Sequence, residues 1–269
     1  MLKNKKGVFY RKWGAQKPKA AVLAVHGMGA HSERYKDMAL FLNKKRISVY
    51  AIELRGYGKL AGDKPGHVDS FKTYCGDIAV LKELIKKENK ELPVFLLGES
   101  MGAVISHINI LDYDADYAGL AESAPVYRDI MKISLPKRAA IALKAIIKPS
   151  EPVLMPFVSR ELTRDPKVLK KLDEDRREHK YASAKLLLLM LFSQVRAVSR
   201  MNRIKIPVLL MAAGKDMLGD TGYTLKVFEK IKSPKTVKLY PDSYHALTIE
   251  KNRNEVFKDI YEWMEGVRA

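Results

Sequence analysis

Short apolar runs alternate along the chain with segments of helical period. Ala20–Val25, Ile47–Leu54, Val94–Leu97, Val208–Ala212 and Val237–Tyr240 are rich in Val, Leu and Ile and often flanked by turn residues, which predicts buried strands. Between them Tyr35, Met38, Ala39 and Leu42 share one helical face. Ile78, Leu81, Leu84 and Ile85 share another, and a third helix starts at Met101 and runs toward Tyr113. Such alternation predicts an α/β architecture, a mainly parallel sheet covered by helices on both faces. Sheets of this kind place ligands beyond the carboxyl ends of their strands.

The alternation lapses from about Pro125 to Arg200. This stretch holds Pro136, Pro149, Pro152, Pro156 and Pro166, with helical patches at Arg138–Ile147 and Ser183–Val195 and no strand-like run bounded by turns on both sides. The pattern resumes at Ile206-Pro207-Val208. It predicts a core of residues 1–124 and 201–269, interrupted by a helical insertion at 125–200 rather than a second sheet. The insertion carries 17 Lys and Arg against 8 Asp and Glu, half of the chain's net charge of +18.

The 269 residues are 47% hydrophobic and 30% charged, a soluble globular composition long enough to bury a sizeable core. The single cysteine, Cys75, excludes an intramolecular disulfide and cysteine-rich zinc modules. Charged residues near the start are followed by no apolar stretch, which argues against a secretory signal. The longest apolar run, Leu186–Phe192, is far short of a membrane span, so the cytoplasm is the expected compartment. A pI near 9.7 suits nucleic acid, an anionic membrane or merely solvated faces. Lysines at helical spacing, such as Lys82, Lys86 and Lys87, favour the solvated face, and no nucleic-acid-binding motif is present.

The segment Val94–Ala103 runs from an apolar strand through Gly98-Glu99-Ser100-Met101-Gly102 into a helical pattern. A serine between two such glycines, on a tight strand-to-helix turn, is lifted above the sheet, where the helix N-terminus favours negative charge. A serine hydroxyl needs a base to act as a nucleophile. Of six histidines, His245 lies in the loop after the last strand, at the carboxyl edge of the sheet. His107 falls inside the helix after Ser100 and reads as structural. His179 sits in a charged run and reads as exposed, and His67 has no evident partner. The base needs an orienting carboxylate. Asp216 leaves the end of Val208–Ala212, with Asp220 and Asp242 as rivals. An oxyanion hole needs two converging backbone N–H groups, for which Met101 and Met28 are the candidates. His26 reads as a brace of the Gly27–Gly29 loop. The chain order Ser100, Asp216, His245 is that of the α/β-hydrolase triad.

The string His26-Gly27-Met28-Gly29-Ala30-His31-Ser32-Glu33-Arg34-Tyr35 resembles the H-G-x-x-x-H-S-x-R-Y segment of monoacylglycerol lipases. Leu92–Gly102, Arg164-Asp165-Pro166 and Ile206–Leu210 are similar to theirs too, so the resemblance covers nearly the whole chain. It implies an α/β-hydrolase fold with a helical cap, and a serine hydrolase in the monoacylglycerol lipase and lysophospholipase group. Such enzymes cleave esters with one long acyl chain and need no metal or organic cofactor. The chain departs from the group where Arg55–Gly62 lacks a serine, where Glu53 stands for the usual aspartate, and where no second histidine follows His245.

The expected partner is a lipid ester. Leu186–Phe192 offers more apolar surface than one helix face buries, which suits packing on the core, a substrate wall or, with the basic insertion, peripheral contact with an anionic membrane. Three other activities compete: a short-chain carboxylesterase, an aminopeptidase, which the net positive insertion disfavours, and a non-catalytic ligand receptor.

Overall fold

The computed structural model describes residues 1–269. Lys6 and Gly7 adopt left-handed backbone, with φ of 51° and 79°, and fold β1 (Leu2–Lys5) back onto β2 (Val8–Trp13) as a tight hairpin. The chain continues through β3 (Ala20–Val25), α1 (Lys36–Asn43), β4 (Ile47–Ile52), α2 (Phe71–Glu88), β5 (Val94–Glu99), α3 (Met101–Asp112) and β6 (Gly119–Ser123). After the insertion come β9 (Val208–Ala213), α7 (Thr221–Phe228), β10 (Lys235–Tyr240) and α8 (Arg253–Arg268), so the sheet order is β1-β2-β4-β3-β5-β6-β9-β10. From β4 to β10 the pairing is parallel; β2 joins β4 antiparallel and carries β1 at the edge.

The central strands β3, β4, β5, β6 and β9 are buried at every position because both faces of the sheet are covered there. In β3, Ala21, Leu23 and Val25 pack with Ile78 and Leu81 of α2 and Val104 and Ile105 of α3. Ala20, Val22 and Ala24 face the other way, onto Met38 and Leu42 of α1 and Phe257 and Ile260 of α8. The predicted α/β architecture is therefore the observed one.

Two corrections concern strands. The sheet also contains β1, β2 and β6, which the apolar pattern did not announce. The 125–200 segment is not purely helical: between α4 (Leu135–Ile147) and α6 (Ala184–Ser199) lie β7 (Pro152–Leu154), α5 (Pro166–Glu174) and β8 (Tyr181–Ser183). β7 and β8 pair antiparallel as a short ribbon of their own. Three-residue strands are too short to display an alternation. No helix is long and apolar enough to cross a membrane.

The turn from β5 to α3 depends on close backbone packing. A Cβ on Gly98 would stand 2.4 Å from the Gly102 carbonyl oxygen, and one on Gly102 only 2.1 Å from that of Val25. Alanine normally stabilises a helix relative to glycine by about 1 kcal/mol. Here overpacking against backbone reverses the sign, at about 1–3 kcal/mol. Gly102→Ala is expected to lower the thermal midpoint by several degrees in scanning calorimetry; an unchanged or raised midpoint would contradict this packing.

Candidate active site

Ser100 sits between β5 and α3 with φ of 58° and ψ of −120°, a strained conformation for a residue with a Cβ. Its N–H donates to the Ser123 carbonyl at 2.9 Å, which ties the turn to the end of β6. The hydroxyl lies 2.8 Å from Nε2 of His245, and Nδ1 of the same ring lies 2.7 Å from Oδ2 of Asp216. Asp216 Oδ1 accepts from the Leu218 and Gly219 N–H groups at 2.8 and 2.9 Å, which fixes the carboxylate plane. With the carboxylate on Nδ1, the ring proton belongs there and Nε2 accepts from the serine hydroxyl.

Burial disfavours a charged imidazole at His245, but the Asp216 charge and hydrogen bond outweigh it, and the pKa lies above the ordinary value. Burial likewise penalises the Asp216 carboxylate, yet His245 and the two backbone donors hold its pKa below the usual one. Glu99, buried beside Ser100, adds to the negative potential at His245, while Arg34 opposes it. Glu99 Oε2 accepts from the Thr248 N–H and hydroxyl at 3.1 and 2.8 Å, and from Ser123 Oγ at 3.3 Å. It thereby ties the end of β5 to the loop that carries His245.

The rival carboxylates are engaged elsewhere. Asp220 caps α7 by accepting from the Tyr223 N–H at 2.8 Å and pairs with Arg128. Asp242 is exposed and pairs with Lys215 at 2.7 Å. His107 is buried with Glu122 at 2.8 Å and Tyr127 at 2.9 Å. His67 contacts Ser183 Oγ at 3.0 Å and Asp69 at 3.2 Å. His26 accepts from the Leu54 N–H at 3.1 Å, and burial holds its pKa down to about 4. His179 is a correction: it is half-buried and stacked on Tyr57, and burial depresses its pKa.

Gly27 stands against Ser100, since a Cβ there would lie 3.0 Å from the serine Cβ. Neither the Met28 nor the Met101 N–H donates to another protein group, and both residues line the cavity at Ser100. That cavity has 24 lining residues, 16 of them hydrophobic. Its floor is Gly27, Met28, Ser100, Met101 and His245. Its apolar wall comes from the 125–200 segment: Val126, Met131, Ile133, Ile141, Met155, Phe157, Leu162, Leu187, Leu188, Met190 and Leu191. Leu186 is buried in the core, whereas Phe192 is 62% exposed, so the leucine run divides among core, cavity wall and surface. Arg34, Glu99, Asp129, Arg138 and Gln194 add polar groups. Glu99 and Arg34 fall within quoted motifs but carry no assigned role in the sequence, and Asp129, Arg138 and Gln194 have no signal there as site residues. A second, more polar cavity shares Met28, Arg34, Phe157 and Leu162 with the first.

Glu53, which replaces the aspartate expected by resemblance, accepts from the Ser32 N–H at 2.8 Å and the Lys59 N–H at 3.0 Å, and bonds the Ser32 hydroxyl. It holds the His31–Tyr35 turn against the loop after β4.

A serine on a strained strand–helix turn, above a mainly parallel sheet and beneath an inserted helical segment, defines an α/β-hydrolase. The chain belongs to the family described as serine aminopeptidase, S33, whose model matches residues 16–252. It is 29% identical to the monoglyceride lipase of Homo sapiens over 255 residues, 92% of this chain and 82% of that protein. The crystal structure of the Paleococcus ferrophilus monoacylglycerol lipase superposes with a TM-score of 0.86 at 26% identity, covering 97% of this chain and 99% of that one. An uncharacterised abhydrolase domain-containing protein of Dictyostelium discoideum is 25% identical over 98% of this chain, which spans 28% of that longer protein.

The hydrogen-bonded Ser100 is expected to react with a fluorophosphonate, giving one adduct on the peptide that contains it. The reaction needs neutral His245, so its rate should rise as pH climbs through the elevated pKa of that ring and fall below it. His245→Ala should abolish the labelling. Intact-mass and peptide spectrometry across pH would check this; an adduct on another serine, or a rate indifferent to His245, would contradict it.

Proposed function

We propose that this protein hydrolyses carboxylic esters of a single long acyl chain, of the monoacylglycerol or lysophospholipid kind, through an acyl-enzyme on Ser100. The observation that carries this reading is the Ser100–His245–Asp216 hydrogen-bond chain at the floor of an apolar cavity. The monoglyceride lipases among its relatives support ester hydrolysis. Residues 125–200 serve as a cap over a core of 1–124 and 201–269.

In the first half-reaction Ser100 Oγ attacks the ester carbonyl carbon and its proton passes to His245 Nε2. Asp216 stabilises the imidazolium, and the N–H groups of Met28 and Met101 receive the oxyanion. Collapse breaks the bond to the alcohol, which leaves with the Nε2 proton. In the second half-reaction water gives a proton to Nε2 and attacks the acyl carbon. The fatty acid leaves as Ser100 Oγ recovers its proton.

The apolar wall spans α4, α6 and the 155–162 loop, more surface than a short acyl group touches, which favours long chains over short esters. An aminopeptidase needs a carboxylate free for the substrate ammonium. Asp175 and Glu178 of the cap are already paired with Arg177 and Arg34. Ser100→Ala and His245→Ala should each cut kcat by about 10⁴-fold, with the double variant little worse, and Asp220→Asn should change it far less than Asp216→Asn. A panel of monoacylglycerols, lysophospholipids, short nitrophenyl esters and aminoacyl amides reads out the substrate. Short esters or aminoacyl amides turned over faster than long-chain esters would contradict the proposal.

The cap also offers a surface for peripheral membrane contact. Leu135, Leu143, Ile146 and Ile147 of α4 and Leu191, Phe192 and Val195 of α6 are exposed, and Lys137, Lys144 and Lys148 stand among them. Each cation near an anionic bilayer contributes about 1 kcal/mol, and salt screens it beyond about 8 Å. Cosedimentation with phosphatidylserine vesicles should therefore weaken as salt rises and be slight with phosphatidylcholine. Equal binding to both, or none at low salt, would leave the exposed leucines and lysines without this role.

A further inference from the structure

The inserted segment meets the core backbone to backbone at His179, which lines the second, more polar cavity. Its backbone N–H donates to the Gly29 carbonyl at 3.2 Å. Gly29 has φ of 78°, and a Cβ there would lie 2.4 Å from the His179 carbonyl oxygen, so the two backbones are in contact. The imidazole lies flat on Tyr57, with ring centroids 5.1 Å apart and planes 9° apart. His179 Nε2 reaches the Gly56 carbonyl at 3.2 Å, and Nδ1 accepts from the Tyr181 N–H at 3.4 Å. Tyr57 in turn meets His26 edge-on at 5.8 Å, and His26 Nδ1 lies 2.8 Å from the Gly27 carbonyl.

These contacts close a ring around Met28. The Gly27 carbonyl on one side is held through His26, Tyr57 and the imidazole of His179. The Gly29 carbonyl on the other is held by the backbone of the same residue. An ionic cluster clamps the flanking segments: Arg34 forks onto Glu178 at 2.7 and 2.5 Å, and Arg177 bridges Asp175 and Glu33 at 2.6 and 2.5 Å. We propose that His179 is a positioning residue, a cap side chain that fixes the oxyanion loop so that the Met28 N–H points at the developing charge. The inference rests on the reading of Ser100 and Met28 given above. Burial keeps the ring neutral, so it has one N–H, for Gly56, and one lone pair, for Tyr181.

The physical basis is that oxyanion hydrogen bonds act mainly in the transition state. Loss of one donor costs about 10²–10³ in kcat, and a small misplacement costs part of that. His179→Ala should therefore lower kcat by about 10–100-fold while KM on a long-chain monoacylglycerol stays within about threefold. His179→Gln supplies both an amide N–H for Gly56 and an oxygen for Tyr181, and should recover most of kcat. His179→Phe keeps the ring on Tyr57 without the donor, and should fall below Gln. A residue that merely holds the cap in place would raise KM or lower the melting midpoint, with no selective rescue by Gln.

If His179→Ala proves unfolded, the Gln and Phe variants decide: equal kcat in the two overturns the proposal. So does kcat within twofold of wild type in a folded Ala variant, or a loss expressed mainly in KM. Ser100→Ala is measured in parallel. Activity there overturns the triad reading itself, whereas an inactive Ser100→Ala beside an unimpaired His179→Ala overturns only the role of His179.

Discussion

The strained backbone at Ser100 is the constraint on which the site depends. A non-glycine residue at φ of 58° and ψ of −120° costs about 1–3 kcal/mol and persists only where its surroundings over-determine it. Here Gly98 and Gly102 let α3 settle directly on β5 and on the end of β3, and the Ser100 N–H is locked onto Ser123 of β6. Three neighbouring strands thus hold one turn. Its consequence is a half-buried hydroxyl presented at the sheet's carboxyl edge, the side reached by the loops after β9 and β10. Asp216 and His245 come from those two loops. Glu99 reinforces the arrangement, since its bonds to Thr248 tie the turn to the histidine loop.

The inserted segment is joined to this core in two physically different ways. Near the Gly27–Gly29 loop it is polar, packed backbone to backbone and clamped by buried or half-buried ion pairs around Arg34, Glu178, Asp175 and Arg177. Removing one partner from such a cluster leaves a charge without its counter-ion, so this end resists opening. At the other end α4 rests mainly on α6, with most of its side chains exposed. The cavity lies between these two ends, one held by ion pairs and backbone contacts and the other more lightly packed.

Much of the fold was legible in the sequence because buried parallel strands are apolar on both faces. β3, β4, β5 and β9 therefore read as apolar runs, whereas the edge strand β10 shows only through Val237, Leu239 and Tyr240 around Lys238. β6 does not, because Glu122 interrupts it: that carboxylate is buried against Tyr127, just beyond the strand, and His107 of the preceding helix, contacts that a strand pattern does not display. In the β1–β2 hairpin the edge strand β1 is largely exposed and both strands carry charged residues, so it lacks the signal of the central strands. Ser100, Asp216 and His245 were legible from chain order and from their places after strands. The place of Asp216 directly after Val208–Ala212 favours it over Asp220 in the sequence, and in the fold Asp220 caps α7. His179 was misjudged as exposed because its flanking charges read as a solvated run. In the fold those charges pair across 144 residues with Glu33 and Arg34, and the histidine between them is drawn against Tyr57.

The proposed acyl-enzyme on Ser100 is tested most directly by mixing the protein with a long-chain monoacylglycerol, quenching in acid within milliseconds and weighing the peptides. A transient adduct equal to the fatty acid less one water is expected, confined to the peptide that contains Ser100 and gone at completion. Steady release of fatty acid with no adduct at any time in a reaction slowed at low pH, or an acyl group on any other residue, would contradict it.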